Sequence, residues 1–160
     1  FLSTVRSLPQ DRQRQIPSLL CRAAKYDNHS GLLPHPVRAR FIDPLMHDWK
    51  RTEPGNPEPF RWTAVLDDLI RAVDLDPICD ETRRRLIVKI LGFVDYATHE
   101  LPYAYCGDDL DEDRDLLRRA RREAGLLPDE KARLEYLRAI AEEEQLLEDY
   151  EKKLRDERGY

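Results

Sequence analysis

The sequence predicts an all-α fold: a helical bundle of about six helices built from antiparallel helical hairpins, with an irregular Pro-rich N-terminal third and a long C-terminal helix. Three observations carry this. From Trp62 onward, apolar residues recur at spacings of three and four, the period of a helix with one buried face. Charged residues make up 37% of the chain and glycines number only six, against roughly 25% charged in ordinary globular proteins, a composition suited to helices with solvated outer sides. Most of the prolines fall before residue 60, where regular helices are therefore hardest to continue.

The 160 residues suit one helical domain, with an irregular short-helix segment, 1–59, packed on a helical bundle, 60–160. A chain of this length buries roughly two thirds of its unfolded surface. In the first segment, Pro9 and Pro17 break residues 1–27 into one or two short helices, the second carrying Leu19, Leu20, Ala23 and Ala24. Turn residues Asp27-Asn28-His29-Ser30-Gly31 end it, and Asp43-Pro44 opens another helix with Leu45, Met46 and Trp49 on one face. Three prolines and a glycine within 52–59 make a stiff connector.

In the second segment, Trp62, Val65, Leu66, Leu69, Ile70 and Val73 mark the third helix, which stops before Asp76-Pro77. The fourth starts near Asp80 and contains Leu86, Ile87, Ile90, Leu91, Phe93, Val94 and Ala97, an arc broad enough to imply burial on more than one side. A buried strand over 86–94 is the rival, opposed by the length of the pattern and its charged start at Asp80-Glu81. A loop holding Tyr103, Tyr105 and Cys106 follows. The acidic run Asp108, Asp109, Asp111, Glu112, Asp113 then favours the positive end of a fifth helix that stops at Gly125. Pro128-Asp129-Glu130 opens the last helix, whose apolar face narrows to Leu147, Tyr150 and Leu154. Its far end either protrudes or meets a partner, so a homodimer through this helix is one expectation.

Ala72-Val73-Asp74-Leu75-Asp76-Pro77, ahead of a new helix, resembles the end of a tetratricopeptide repeat, where a helix closes on an alanine and a proline five residues later precedes the next. The resemblance covers the second half of one repeat. It implies antiparallel hairpins and a protein-binding scaffold, with no catalytic residues to transfer.

The sharpest chemical constellation is Asp95 and His99, four residues apart on one helix face. A carboxylate so placed orients an imidazole for catalysis or metal binding, with Tyr96, Tyr103, Tyr105, Cys106 and Asp108 converging nearby. The plainer alternative is a helix-end pair complementing the dipole, with tyrosines sealing the loop. Partner-binding candidates are Tyr96, His99, Tyr103, Tyr105 and Tyr150; the catalytic candidates are Asp95, His99, Tyr103 and Tyr105.

Other patterns fail on their own chemistry. Asp109, Asp111 and Asp113 space like a calcium loop, but Arg114 stands where glycine is required and Ala120 where the bidentate glutamate belongs. Pro34-His35-Pro36 with Arg38 and Arg40 suggests an anion site, yet Pro36 removes an amide; anchoring of the segment is the simpler reading. The clusters Arg83-Arg84-Arg85 and 118–122 are interleaved with acids and lack RNA-type aromatics, in a chain of net charge -5, so nucleic acid is not expected. Common nucleotide, zinc-protease, esterase and thiol-redox signatures are missing, and no cofactor or metal is expected.

Three cysteines, odd in number and without metal spacing, point to a reducing, cytoplasmic setting. Asn28-His29-Ser30 fits a glycosylation acceptor, a pattern short enough to arise by chance. No run of about 18 apolar residues exists to span a membrane. Phe1-Leu2 leads into too little apolar sequence for a signal peptide, and the missing initiator Met suggests trimming or a chosen boundary. The function expected is an intracellular adaptor or regulatory domain that binds another protein. One alternative is an acidic inhibitor of immunity type masking a basic partner, since 108–160 carry net charge -6. Another is a small enzyme or metal-binding protein with its site at Asp95 and His99.

Overall fold

The computed structural model describes residues 4–5, 7–26, 37–63 and 65–158, with side chains for all of these except 21–26 and 158. These residues are all-helical, with no strand among them. They divide into two compact units, Phe1–Asp76 and Pro77–Tyr160. The expected turn at 27–31 and the Pro34-His35-Pro36 loop lie outside the described residues.

The first unit opens with α1, Gln10–Tyr26. Its first turn is closed by the Pro9 carbonyl, which accepts from the N–H groups of Arg12 and Gln13 at 2.9 and 3.0 Å. The break expected at Pro17 does not occur: α1 runs through it, and the proline is fully buried. Its ring contributes apolar packing against the loss of one helical hydrogen bond. A π-helical turn, Arg38–Ile42, then runs without interruption into α2, Asp43–Thr52. Asp43 is therefore not the expected cap, since it has helical geometry and donates its N–H to the Arg38 carbonyl. Pro44 has no N–H for the carbonyl four residues back and crowds it, and the wider π turn ahead of it relieves that conflict.

Two short helices, α3 (Glu58–Arg61) and α4 (Leu66–Leu75), replace the single third helix expected from Trp62. Val65 is extended there, and its N–H donates to Thr63 Oγ1 at 3.1 Å, which stops propagation between the two. Trp62 is buried while Val65 is exposed, although both share the apolar spacing. The core of this unit gathers Val5, Phe41, Ile42, Met46, Trp49 and Trp62, with Ile16, Leu20, Val37 and Leu45 at its edge. Both tryptophans of the chain thus lie in it. Phe60 is flanked by the Lys50 ammonium and Arg71 guanidinium, 5.5 and 4.8 Å from its ring centre. Lys50 pairs with Asp68, and Arg61 with Glu58 and Asp76.

The second unit is three helices, α5 (Asp80–Thr98), α6 (Leu110–Gly125) and α7 (Glu130–Arg158), each packed on the other two. The helical reading of 86–94 holds and the strand alternative falls. Arg83 at the start of α5 meets Glu123 at the end of α6, and Arg114 meets Glu151, so α6 runs against both neighbours. Asp109 caps α6, accepting from the Asp111 N–H at 2.8 Å, and Asp129 accepts from the Ala132 N–H at the start of α7. The acidic run is thus a helix start, as its failed calcium pattern implied. The side chains of α5 divide sharply. Leu86, Ile87, Ile90, Val94 and Ala97 are buried, as are Leu117, Ala120, Ile140 and Leu147 of the two helices packed on α5. Val88, Phe93 and Tyr96 are exposed. The expectation that α5 is buried on more than one side is therefore corrected: two neighbouring helices cover one side only.

Candidate functional site

The candidate residues separate into an outer and an inner group at the end of α5. In the outer group, Val88, Gly92, Tyr96 and His99 follow at steps of four and three on the outward side of the helix, with Phe93 at its edge. Val88 is 55% exposed, Phe93 49%, Tyr96 68% and Tyr103, in the following turn, 90%. The His99 N–H closes the helix on the Asp95 carbonyl at 2.9 Å. Its imidazole does not turn to the Asp95 carboxylate: Nδ1 lies 2.6 Å from the Tyr96 carbonyl oxygen and Nε2 3.4 Å from Glu100 Oε1. Helix ends leave carbonyls without internal donors, and the Tyr96 carbonyl is such an acceptor within reach. The His99 and Tyr96 rings lie 5.5 Å apart. Among the described residues no hydrogen bond or ion pair joins the Asp95 and His99 side chains. The pair shares the outward side of α5 without forming a dyad.

The inner group fastens the loop after α5 to the other two helices. The Tyr105 hydroxyl donates to Asp113 Oδ2 at 2.5 Å, and its ring stacks on Tyr150 of α7 with centroids 5.9 Å apart. The Cys106 N–H donates to the Ala97 carbonyl, and Lys153 Nζ donates to the Pro102 carbonyl, both at 2.9 Å. The far end of α7 is therefore used within the unit to hold this loop. Asp113 is 2% exposed. Burial pushes its carboxyl above the usual range, and the negative charges of Asp109 and Asp108 add to this, while the Tyr105 hydroxyl pulls it back. Burial raises the Tyr105 phenol as well, followed by its bond to Asp113, so the phenol stays protonated. With a raised folded-state pKa, Asp113 holds its proton more tightly in the fold. Its contribution is most favourable at low pH and is lost as pH rises through that raised value. Tyr105 and Tyr150, both expected as partner-binding candidates, are here occupied with each other.

Gly107 is where this arrangement is least tolerant. A Cβ added there would lie 2.5 Å from Tyr105 Cζ and 3.0 Å from the Ala97 methyl. Gly107→Ala must therefore drive the Tyr105 ring off Asp113 and Tyr150. Losing one hydrogen bond and one aromatic pair is expected to cost about 2 kcal/mol, measurable by urea denaturation followed by circular dichroism. Unchanged stability would show that the loop relaxes without disturbing the ring.

The basic clusters are spent on neighbouring acids. Arg83 meets Glu123 and Asp80, Arg84 meets Asp129, Arg119 meets Glu123, and Arg121 meets Glu144. Cys79 and Cys106 are free thiols. Among the described residues no group of three His, Cys, Asp or Glu side chains is placed to hold a metal ion. No helix among them is long and apolar enough to cross a membrane.

Sequence reasoning missed a polar cluster in the first unit. Trp49 Nε1 donates to Glu53 Oε2 and Trp62 Nε1 to Glu58 Oε1, each at 2.9 Å. The signal was present, since both pairs are four residues apart and so share a helix face. Arg14 of α1 also reaches Glu53, and its guanidinium carbon stands 5.3 Å from the Trp49 ring centre. The Trp49 and Asn56 donors hold the Glu53 carboxyl below the usual range against the opposing effect of burial, and the Arg14 charge adds to this. No family model, curated protein or solved structure matches the chain.

Proposed function

We propose that the protein is an adaptor or regulatory helical domain that docks another protein on the outward side of α5. The observation that supports this best is the exposure of Val88, Phe93 and Tyr96 along a helix whose opposite side is buried in the second unit, with Tyr103 exposed in the turn after it. Aromatic side chains supply large contact area at little entropic cost, and contiguous exposed apolar surface is characteristic of interaction sites. Asp95 and Glu100 are exposed beside these rings, and residues 77–160 carry net charge -6. The complementary partner is a segment that alternates apolar anchors with lysine or arginine. On this reading His99 contributes its ring edge to the docking surface, with Glu100 beside it, and Tyr105 and Tyr150 keep the loop in shape behind it.

The same acidity favours a second reading, an inhibitor of immunity type that masks a basic partner. The two differ in how much of the affinity is electrostatic. A complex that loses most of its affinity as salt rises fits the inhibitor; one that depends on Tyr96 and Tyr103 and tolerates salt fits the adaptor.

Photo-crosslinking groups placed at Val88 and Tyr103 are expected to trap one stoichiometric partner from native extract. The same group at exposed Lys131 of α7 is expected to trap none. Tyr96→Asp should abolish the crosslink at unchanged thermal stability. Absence of any partner at the two α5 sites, or equal trapping at Lys131, would overturn the proposal; trapping of a second copy would replace it with self-association.

A further inference from the structure

Gly92 is the only glycine of α5 and lies well inside the helix, on its outward side. In a helix interior glycine is less favourable than alanine, because it gives up more backbone freedom on folding. One physical reason to hold it there is a neighbour so close that a methyl group would not fit. Gly107 has such a neighbour in Tyr105. Gly92 has none: among the described residues, a Cβ built on it meets no atom within 4 Å beyond its own turns of helix. Gly125 is equally open, yet it closes α6, where a glycine serves to end a helix. Gly92 sits where α5 continues on both sides, and nothing within the fold uses its bare backbone.

The residues around it give that gap a shape. With about 100° per residue, Val88 and Tyr96 stand one turn before and one turn after Gly92, about 40° to either side of it. Both are exposed, so the missing side chain leaves a notch between an aliphatic residue and an aromatic ring. Lys89 and Asp95, three residues before and after, flank the notch with opposite charges, and Glu100 adds a carboxylate beyond Asp95. Helices pack by seating the side-chain ridge of one in the groove of the other. An extended segment is held mainly by pairing with the free edge of a sheet, and the described residues contain no strand.

We propose that the partner presents an amphipathic α-helix that crosses α5 at Gly92. One of its apolar side chains seats in the notch between Val88 and Tyr96, a lysine or arginine meets Asp95 and Glu100, and an acidic residue meets Lys89. The inference rests on the reading of the outward side of α5 as a docking surface and names the element that fills it.

Gly92→Ala places a methyl group in the notch, and Gly92→Gln a longer side chain; both residues suit an exposed helix. Gly92→Ala is expected to raise the melting temperature by about 2–4 °C while lowering capture of the partner by photo-crosslinking groups at Val88 and Tyr103 about fivefold, as overpacking of a close contact does. Gly92→Gln should lower it further. A fall in capture by a chain that is more stable cannot come from unfolding. Mass spectrometry of partner trapped through groups at Val88 and Lys89 is expected to find attachment points three, four or seven residues apart. Undiminished capture in both variants, attachment at alternate residues, or a second copy as the trapped chain would overturn the proposal. In the first two of these results the docking surface itself stands. No partner trapped at Val88 or Tyr103 in the unsubstituted chain would remove the docking surface, and this proposal with it.

Discussion

Replacing Arg83 with methionine is expected to lower the stability of the second unit by about 3 kcal/mol, the lower end of the cost of breaking a buried ion pair. Arg83 and Glu123 are 5% and 4% exposed, with Nε and Oε2 3.1 Å apart. The same guanidinium also donates to Asp80 and to the Pro77 carbonyl, so one side chain closes the start of α5 and holds it to the end of α6. Its loss would leave the Glu123 carboxylate buried with Arg119, 2.9 Å away, as its nearest described counter-charge. A second change, Glu123→Leu, removes that buried charge. The double variant R83M/E123L is expected to recover most of the loss, because a well-packed apolar pair is often as stable as the ion pair it replaces. Urea denaturation followed by circular dichroism reads both effects. A double variant no better than R83M would show that the contacts to Asp80 and Pro77, and not the Glu123 pair, carry the stability.

The second large effect separates the two sides of α5. Ile90 is fully buried, and Ile90→Ala should cost about 3 kcal/mol, through lost transfer energy and the cavity left in the core of the second unit. Phe93, three residues on and a larger apolar side chain, stands half-exposed; Phe93→Ala should cost less than about 1 kcal/mol. The crosslinked partner should show the reverse order, surviving Ile90→Ala in proportion to the folded fraction and failing with Phe93→Ala. If both substitutions destabilise equally, Phe93 belongs to the core and the docking surface is smaller than proposed. Hydrogen exchange of the α5 amides, together with the crosslinking yield, distinguishes the two results.

The second unit was readable from sequence because its helices are long and are punctuated by Asp109, Gly125 and Asp129. Each of those residues acts within a few positions of itself, so its effect survives without knowledge of the fold. The failures share a cause of another kind. Trp62 and Val65 carry the same periodic signal, yet Thr63 stops the helix between them through a bond to the Val65 N–H. Pro17 reads as a breaker, but its burial makes the missing hydrogen bond tolerable. Asp95 and His99 have the spacing of a pair, and a backbone carbonyl one turn away takes the imidazole instead. Tyr105 is one of the candidates that the sequence offers, and in the fold it anchors a loop. Its partners Asp113 and Tyr150 lie 8 and 45 positions away, and only the packing of α6 and α7 brings them to it.

Trp49 and Trp62 are the chain's two tryptophans, and both belong to the core of residues 1–76. The second unit has tyrosines but no tryptophan. Indole emission, excited beyond the tyrosine band, therefore reports the melting of one half of the chain, whereas far-ultraviolet ellipticity reports both. Coincident transitions by the two probes would mean that the halves unfold as one cooperative body. Separated transitions would assign each midpoint to its own half without cutting the chain.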